Sequence, residues 1–200
     1  MFGFGKRSSS NPENYYHREG DTFLVEIKLN EIRQLFNSLD PSPFREKDLD
    51  PEARDYIVDS VREFHLDSPV KLVFYLPSTL CNAETDTLFT DAIHNFFAYR
   101  SEIAAKELRY SHQQGRRALG IGLLFLLFCL GAQQFIAALA EGRLLWLIAQ
   151  EGFLITGWVA MWRAIDIFLY EAWSIRRNRR LYDKLADIPV EIRASQPAKP

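Results

Sequence analysis

Glu151 is an ionisable side chain set inside a run of apolar residues. Gln150 stands beside it, and Gln133 and Gln134 interrupt an earlier apolar run. A carboxyl group in such surroundings either keeps its proton, because desolvation disfavours the charged form, or finds a partner. A glutamine amide donates two hydrogen bonds and accepts on its carbonyl oxygen. Two kinds of chemistry are open to this set. One is proton or ion handling by Glu151, since an ionisable group in a membrane segment is by default a functional-site hypothesis. The other is interhelical hydrogen bonding that fixes one helix against another, worth about 0.6–2 kcal/mol per bond. Two polar levels are too few to build a pathway, so the residues favour the second.

The elements that carry these residues are two apolar arms, ALGIGLLFLLFCLGAQQFIAALA (118–140) and LLWLIAQEGFLITGWVAMW (144–162, continuing to 165), joined by Glu141-Gly142-Arg143. Each arm has about 20 residues, the length that crosses a hydrocarbon core of about 30 Å. Folding the chain at Gly142 sets Gln133 level with Glu151 and Gln134 level with Gln150. Nine residues of helix rise about 13 Å, so the layer is expected well inside a bilayer. Gly152, Thr156, Ala160 and Ala164 recur every four residues on the second arm, a small-residue stripe that permits close helix approach. On the first arm Ala118, Gly122, Cys129, Gln133 and Ala140 share a narrow face at 100° per residue. Packing within the chain is the expectation for Gly122, Gly152, Thr156 and Ala160. Polar residues in both arms also suggest a homo-oligomer or a larger membrane complex.

Arg163 and Asp166 sit one turn apart at the inner boundary, and the same fold sets Asp166 near Arg116 and Arg117. An anchoring ion cluster is expected there. The chain's formal net charge is only −2, but segment 21–68 has twelve acidic residues against six basic. Segments 99–117 and 174–193 are each +3, with five basic against two acidic and six against three. These basic stretches flank the arms, and the positive-inside rule puts both termini in the cytoplasm. No cleavable signal peptide is evident at the start. Trp162, Tyr170 and Trp173 suit an interfacial aromatic belt, with Trp146 at the outer edge. Arg176, Arg177, Arg179 and Arg180 would attract anionic lipid headgroups, at about 1 kcal/mol each near the surface. A nucleic-acid role for this run is disfavoured beside a negative membrane and an acidic domain.

In FLVEIKL (23–29) and VKLVFYL (70–76) apolar residues alternate as in strands. Asn30 suits the N-cap of a short helix with Ile32, Leu35 and Phe36 inward. LDPSPFREKDLDP (39–51) reads as a loop. Asp50-Pro51 opens a helix that runs to about His65 and buries Ala53, Ile57, Val61 and Phe64. A long helix starts near Thr87, with a stripe through Phe89, Ile93, Phe96, Phe97, Arg100, Ile103, Ala104 and Leu108, and a bend expected near Gly115. The sequence thus predicts an α+β membrane protein. A two-helix transmembrane hairpin carries a small cytoplasmic α/β domain of about three short strands and three helices, formed by both chain ends. Its parts are a mobile tail (1–20), the α/β domain (21–115), the hairpin (116–165) and a basic juxtamembrane helix (166–187). A strand returning to the sheet (188–193) and a tail (194–200) complete it.

No catalytic set, metal site or cofactor motif is found. GxSxG, Walker A, HExxH and GxGxxG are absent, and the four histidines are scattered. Asp48, Asp50, Asp55 and Asp59 read as solvated charge. Cys81 and Cys129 fall in different environments, which argues against a disulfide.

LDPSPFREKDLDPEARDYIV (39–58) and EGFLITGWVAMWRAIDIFLYEAWSIRRNRRLYDKLADIPVEIR (151–193) resemble a family of uncharacterised two-pass bacterial inner-membrane proteins. The resemblance would cover most of residues 21–193. It implies a bacterial inner-membrane location and no activity, cofactor or catalytic residue. The expected function is a non-enzymatic scaffold or accessory subunit. The alternatives are a homo-oligomeric channel or transporter component using Glu151, and a membrane-tethered enzyme with an unrecognised site.

Overall fold

Apolar residues at every second position build the sheet, and the register shows which face they cover. The structure, a computed structural model, describes residues 15–43, 47–139 and 144–195. The expected turn 141–143, most of the N-terminal tail and the last five residues lie outside these. So do the side chains of Trp146 and Gln150. The chain divides into two compact units, Met1–Ser101 with Arg180–Pro200, and Glu102–Arg179.

In the first unit four strands lie in the order β1 (Arg18–Glu19), β2 (Thr22–Lys28), β3 (Val70–Leu76) and β4 (Val190–Ala194). β1 and β2 are antiparallel and joined through Gly20, whose φ of 61° is a conformation that suits glycine. β2, β3 and β4 are parallel, and two parallel strands need a crossover between them. The first crossover is α1 (Pro51–Arg62). Asp50 caps it as expected, its carboxylate accepting from the backbone N–H groups of Glu52 (2.9 Å) and Ala53 (3.4 Å). The second crossover, residues 77–189, contains every residue of the second unit.

One face of the sheet carries the core. Phe23, Val25, Val70, Leu72, Phe74 and Leu76 are buried against Ile57 and Val61 of α1 and against Phe89, Ile93 and Phe97. Leu181, Leu185 and Ile188, just before β4, complete it. Side-chain bonds hold this returning segment. His94 Nε2 lies 2.8 Å from the carbonyl oxygen of Ile188, the Ser101 hydroxyl donates to Asp183, and Lys184 donates to the Ser68 carbonyl at 2.6 Å.

Several boundaries differ from expectation. The sheet begins at Arg18, inside the stretch expected to be tail. Asn30 caps nothing. Residues Ile32–Leu35 form a single 3₁₀ turn, and the Gln34 side chain reaches back to accept from the Asn30 (2.7 Å) and Glu31 (3.3 Å) N–H groups. The long helix α2 starts at Ala83, because the Asn82 side chain accepts from Thr85 N–H at 2.7 Å.

The second unit holds the rest of α2 (Ala83–Leu139), which is helical without interruption through Gly115. It also holds α3 (Leu144–Asp166), a π-helical turn (Ile167–Glu171) and the start of α4 (Ala172–Ala186). The π turn replaces the plain helix expected over this stretch.

Candidate functional site

The core-free face of the sheet carries a chain of polar side chains. Period two puts Leu24 and Glu26 of β2, Lys71, Val73 and Tyr75 of β3, and Glu191 and Arg193 of β4 on this face. Lys71 donates to Glu191 at 2.9 Å and lies 3.5 Å from Glu19. Arg193 grips Glu191 through Nε and Glu19 through a terminal nitrogen, both at 2.7 Å. The Tyr75 hydroxyl donates to Glu26 at 2.7 Å, and His17 Nδ1 lies 2.5 Å from the other Glu26 oxygen. Tyr75 and Arg193 stand opposite each other in the β3–β4 register, which sets the two halves side by side.

Burial and bonding set the protonation of these groups. Hydrogen bonds from Arg193 and Lys71 hold the Glu191 carboxyl down at about 2, below its ordinary 4.5. The bond to Glu191 raises Lys71, and the bonds to Glu191 and Glu19 raise Arg193. Burial pushes Glu26 up, but its bonds to Tyr75 and His17 outweigh this and its pKa falls. The bond to Glu26 raises Tyr75. Leu24 and Val73 are buried on this face although neither belongs to the main core. Val73 stands opposite Glu26 on one side and Glu191 on the other, with Lys71 and Tyr75 before and after it. Apolar stems of such charged side chains can cover apolar surface.

The network has a partner for each of its charges. Its chemistry is therefore electrostatic stapling, which ties β4 to β1 and β3. Single pairs this exposed are worth little each, about 0–1 kcal/mol, and their effect comes from acting together. None of these residues stands out as a site in the sequence. The polar positions of the alternating segments were a signal. The pairing between strands was not, because it depends on the register of segments some 50 and 120 residues apart.

Among the described residues no group of three or more His, Cys, Asp or Glu is placed to hold a metal ion. Asp55 and Asp59 each pair with a neighbouring arginine on α1, Arg54 and Arg62.

The second unit contains two helices long and apolar enough to cross a membrane. Their contacts follow a seam. Gly122 lies against Ala160 and Met161, where an added Cβ would come within 3.1 Å of the Ala160 carbonyl oxygen. Gly157 lies against Leu126 and Cys129, where a Cβ would meet Leu126 at 2.9 Å. Gly115 lies against Ile167 and Phe168. Contacts thus move back along the second helix as they move forward along the first. Of the four expected packing residues, Gly122 and Ala160 meet in this seam. Gly152 and Thr156 do not: both are exposed, and the Thr156 hydroxyl donates to the Gly152 carbonyl at 2.7 Å. Gly115 and Gly157 take the close-approach role instead.

The polar layer divides. Gln133 is half-buried, Gln134 and Glu151 are exposed, and among the described residues no hydrogen bond joins Gln133 to Glu151. Arg163 pairs with Asp166 at 3.2 Å and, beyond the expected cluster, with Glu171 of the π turn at 3.0 Å. Arg116 and Arg117 are exposed, and among the described ion pairs neither joins Asp166. Arg176, Arg177, Arg179 and Arg180 are exposed on α4, with Arg177 over the Trp173 ring at 6.0 Å. Trp162, Tyr170 and Trp173 are exposed as well.

No protein-family model matches the chain, and neither a curated protein nor a solved structure does.

Proposed function

We propose that the chain is an integral membrane protein. Its two apolar helices cross a bacterial inner membrane as a hairpin, with both termini in the cytoplasm. It acts there as a scaffold or accessory subunit that presents its acidic α/β unit and assembles with itself or with other membrane proteins. The observation that carries this reading is where the apolar surface lies. Only 11% of the apolar window in the first helix is buried, and 17% in the second. A core helix of a soluble protein would be mostly covered. Leu124, Phe128, Phe135, Ile155, Trp158 and Val159 are among the large apolar side chains left exposed, a surface that hydrocarbon would cover. Exposed arginines beside one end of each apolar run support the orientation, and the descending order of seam contacts supports the hairpin.

The expected result of alkaline extraction of isolated membranes is that the chain stays in the pellet. Release into the supernatant would overturn the proposal.

A second reading rests on Glu151. Its exposure beside the exposed Ile148 and Ile155 supports a contact with another membrane helix, in a second copy or another subunit. In a homo-oligomeric channel or transporter component, Glu151→Gln abolishes ion flux in proteoliposomes, and wild-type protein without flux removes that reading. In the scaffold, Glu151→Gln leaves membrane insertion and assembly intact.

A further inference from the structure

β4 is an edge strand: among the described residues its only strand neighbour is β3. Its backbone directions follow from two bonds to β3, Leu72 N–H to the Pro189 carbonyl at 2.9 Å and Ser195 N–H to the Leu76 carbonyl. In a parallel ladder alternate residues turn to the neighbour. Residues 189, 191, 193 and 195 therefore face β3, and Val190, Ile192 and Ala194 direct their N–H and C=O groups outward. Such an edge is a template for another strand.

We infer that the occupant is the β4 strand of a second copy, paired antiparallel about Ile192. The strand reads Val-Glu-Ile-Arg-Ala and is self-complementary in this one register. Ile192 stands opposite Ile192 of the partner subunit, and Val190 opposite Ala194 of the partner subunit. All three outward residues then fall in hydrogen-bonded pairs. Glu191 faces the partner subunit's Arg193, and the reverse, on the polar face of both sheets. Val190 and Ile192 continue both apolar faces. A strand paired with itself in this way gives a closed two-fold contact and joins two four-stranded sheets into one. Shifting the register by one residue would set apolar residues among the charged ones. Shifting it by two in either direction sets Glu191 or Arg193 against its own kind. This names the surface for the self-assembly proposed above. It rests on the membrane reading only in that a shared membrane concentrates the copies.

The test uses the full chain in whole-cell lysate, oxidised before membrane and soluble fractions are separated, with Cys81→Ser and Cys129→Ala to remove the native thiols. Glu191→Cys and Arg193→Cys are made in separately tagged copies and co-expressed. Opposite residues in the proposed pair have Cα atoms about 4.5 Å apart, within disulfide reach, whereas like residues are diagonal at about 7–8 Å. On mild oxidation the mixed sample should form a disulfide-linked dimer carrying both tags, and each variant alone should form far less. Ala194→Pro removes one outward N–H and leaves the β3 ladder intact. It should abolish the cross-link when added to both copies, and should convert the otherwise wild-type chain to monomer in mild detergent. A monomeric wild-type chain, a mixed sample without cross-link, or a dimer unaffected by Ala194→Pro would overturn the inference. Fractionation of the same samples separates the two proposals. Membrane-bound but unlinked chains would overturn the edge contact alone, and linked chains in the soluble fraction would overturn the membrane reading alone.

Discussion

Glu191 shows how one residue can be legible in part. Its place in an alternating segment at the chain's end suggests a strand and makes it a polar-face position. Its neighbour Arg193, two residues on along the same strand, follows from that alternation, but its partner Lys71 is set by the register of β4 on β3 and was not readable from spacing. The consequence is pH dependence with a definite sign. The folded carboxyl titrates at about 2 against an ordinary 4.5. A carboxylate whose pKa is depressed by folding stabilises the folded state fully above its unfolded value and loses that contribution as pH falls through its folded value. Circular-dichroism thermal melts of the detergent-solubilised protein should show the sheet unit losing stability as pH drops from about 4.5 toward 2. Glu26 shifts the same way and adds to the loss. Glu191→Gln should flatten this part of the profile and leave the first unit less stable than wild type at neutral pH. An unchanged profile in the variant would mean the network does not hold β4.

At the scale of elements, period two identified β2 and β3, and Asp50-Pro51 identified the start of α1. Ile32–Leu35 is a single 3₁₀ turn where the sequence suggests a short helix, because its apolar residues fit either form. The seam is the more instructive case. A repeat of four picked Gly152, Thr156, Ala160 and Ala164, but the face that drifts with such a repeat turns away from the neighbour. The buried positions instead recur at seven: Gly115, Gly122 and Cys129 on one helix, Gly157 and Ala164 on the other. This is the heptad spacing of two helices that coil about each other. Gly157→Ala should therefore destabilise the helix pair by about 1–3 kcal/mol, as overpacking does, because its Cβ meets Leu126 at 2.9 Å and Cys129 at 3.1 Å. Gly152→Ala meets nothing within 4 Å and should be neutral or stabilising. Tryptophan fluorescence is a suitable readout of detergent-dependent unfolding, since all four tryptophans lie in the second unit. Equal effects of the two substitutions would mean that the seam is not where the helices pack.

For the whole molecule, the chain path passes through the second unit between two strands of the first. β3 and β4 are neighbours in one sheet, yet the chain leaves that sheet after Leu76 and returns at Val190 only after both apolar helices. The apolar runs made two helices long and apolar enough to cross a membrane readable in advance. The parallel pairing that closes the sheet needed the structure, because any six-residue alternating segment is compatible with several neighbours. If the helices cross the membrane as a pair, both ends of the chain must lie on the same side and residue 142 on the other. Labelling with a membrane-impermeant thiol reagent tests this directly, using Gly142→Cys and Ser195→Cys separately in the chain lacking Cys81 and Cys129. In intact spheroplasts the cysteine at 142 should be labelled and that at 195 protected, with 195 becoming reactive once the membrane is permeabilised. Labelling of both in intact cells, or of 195 alone, would contradict the hairpin.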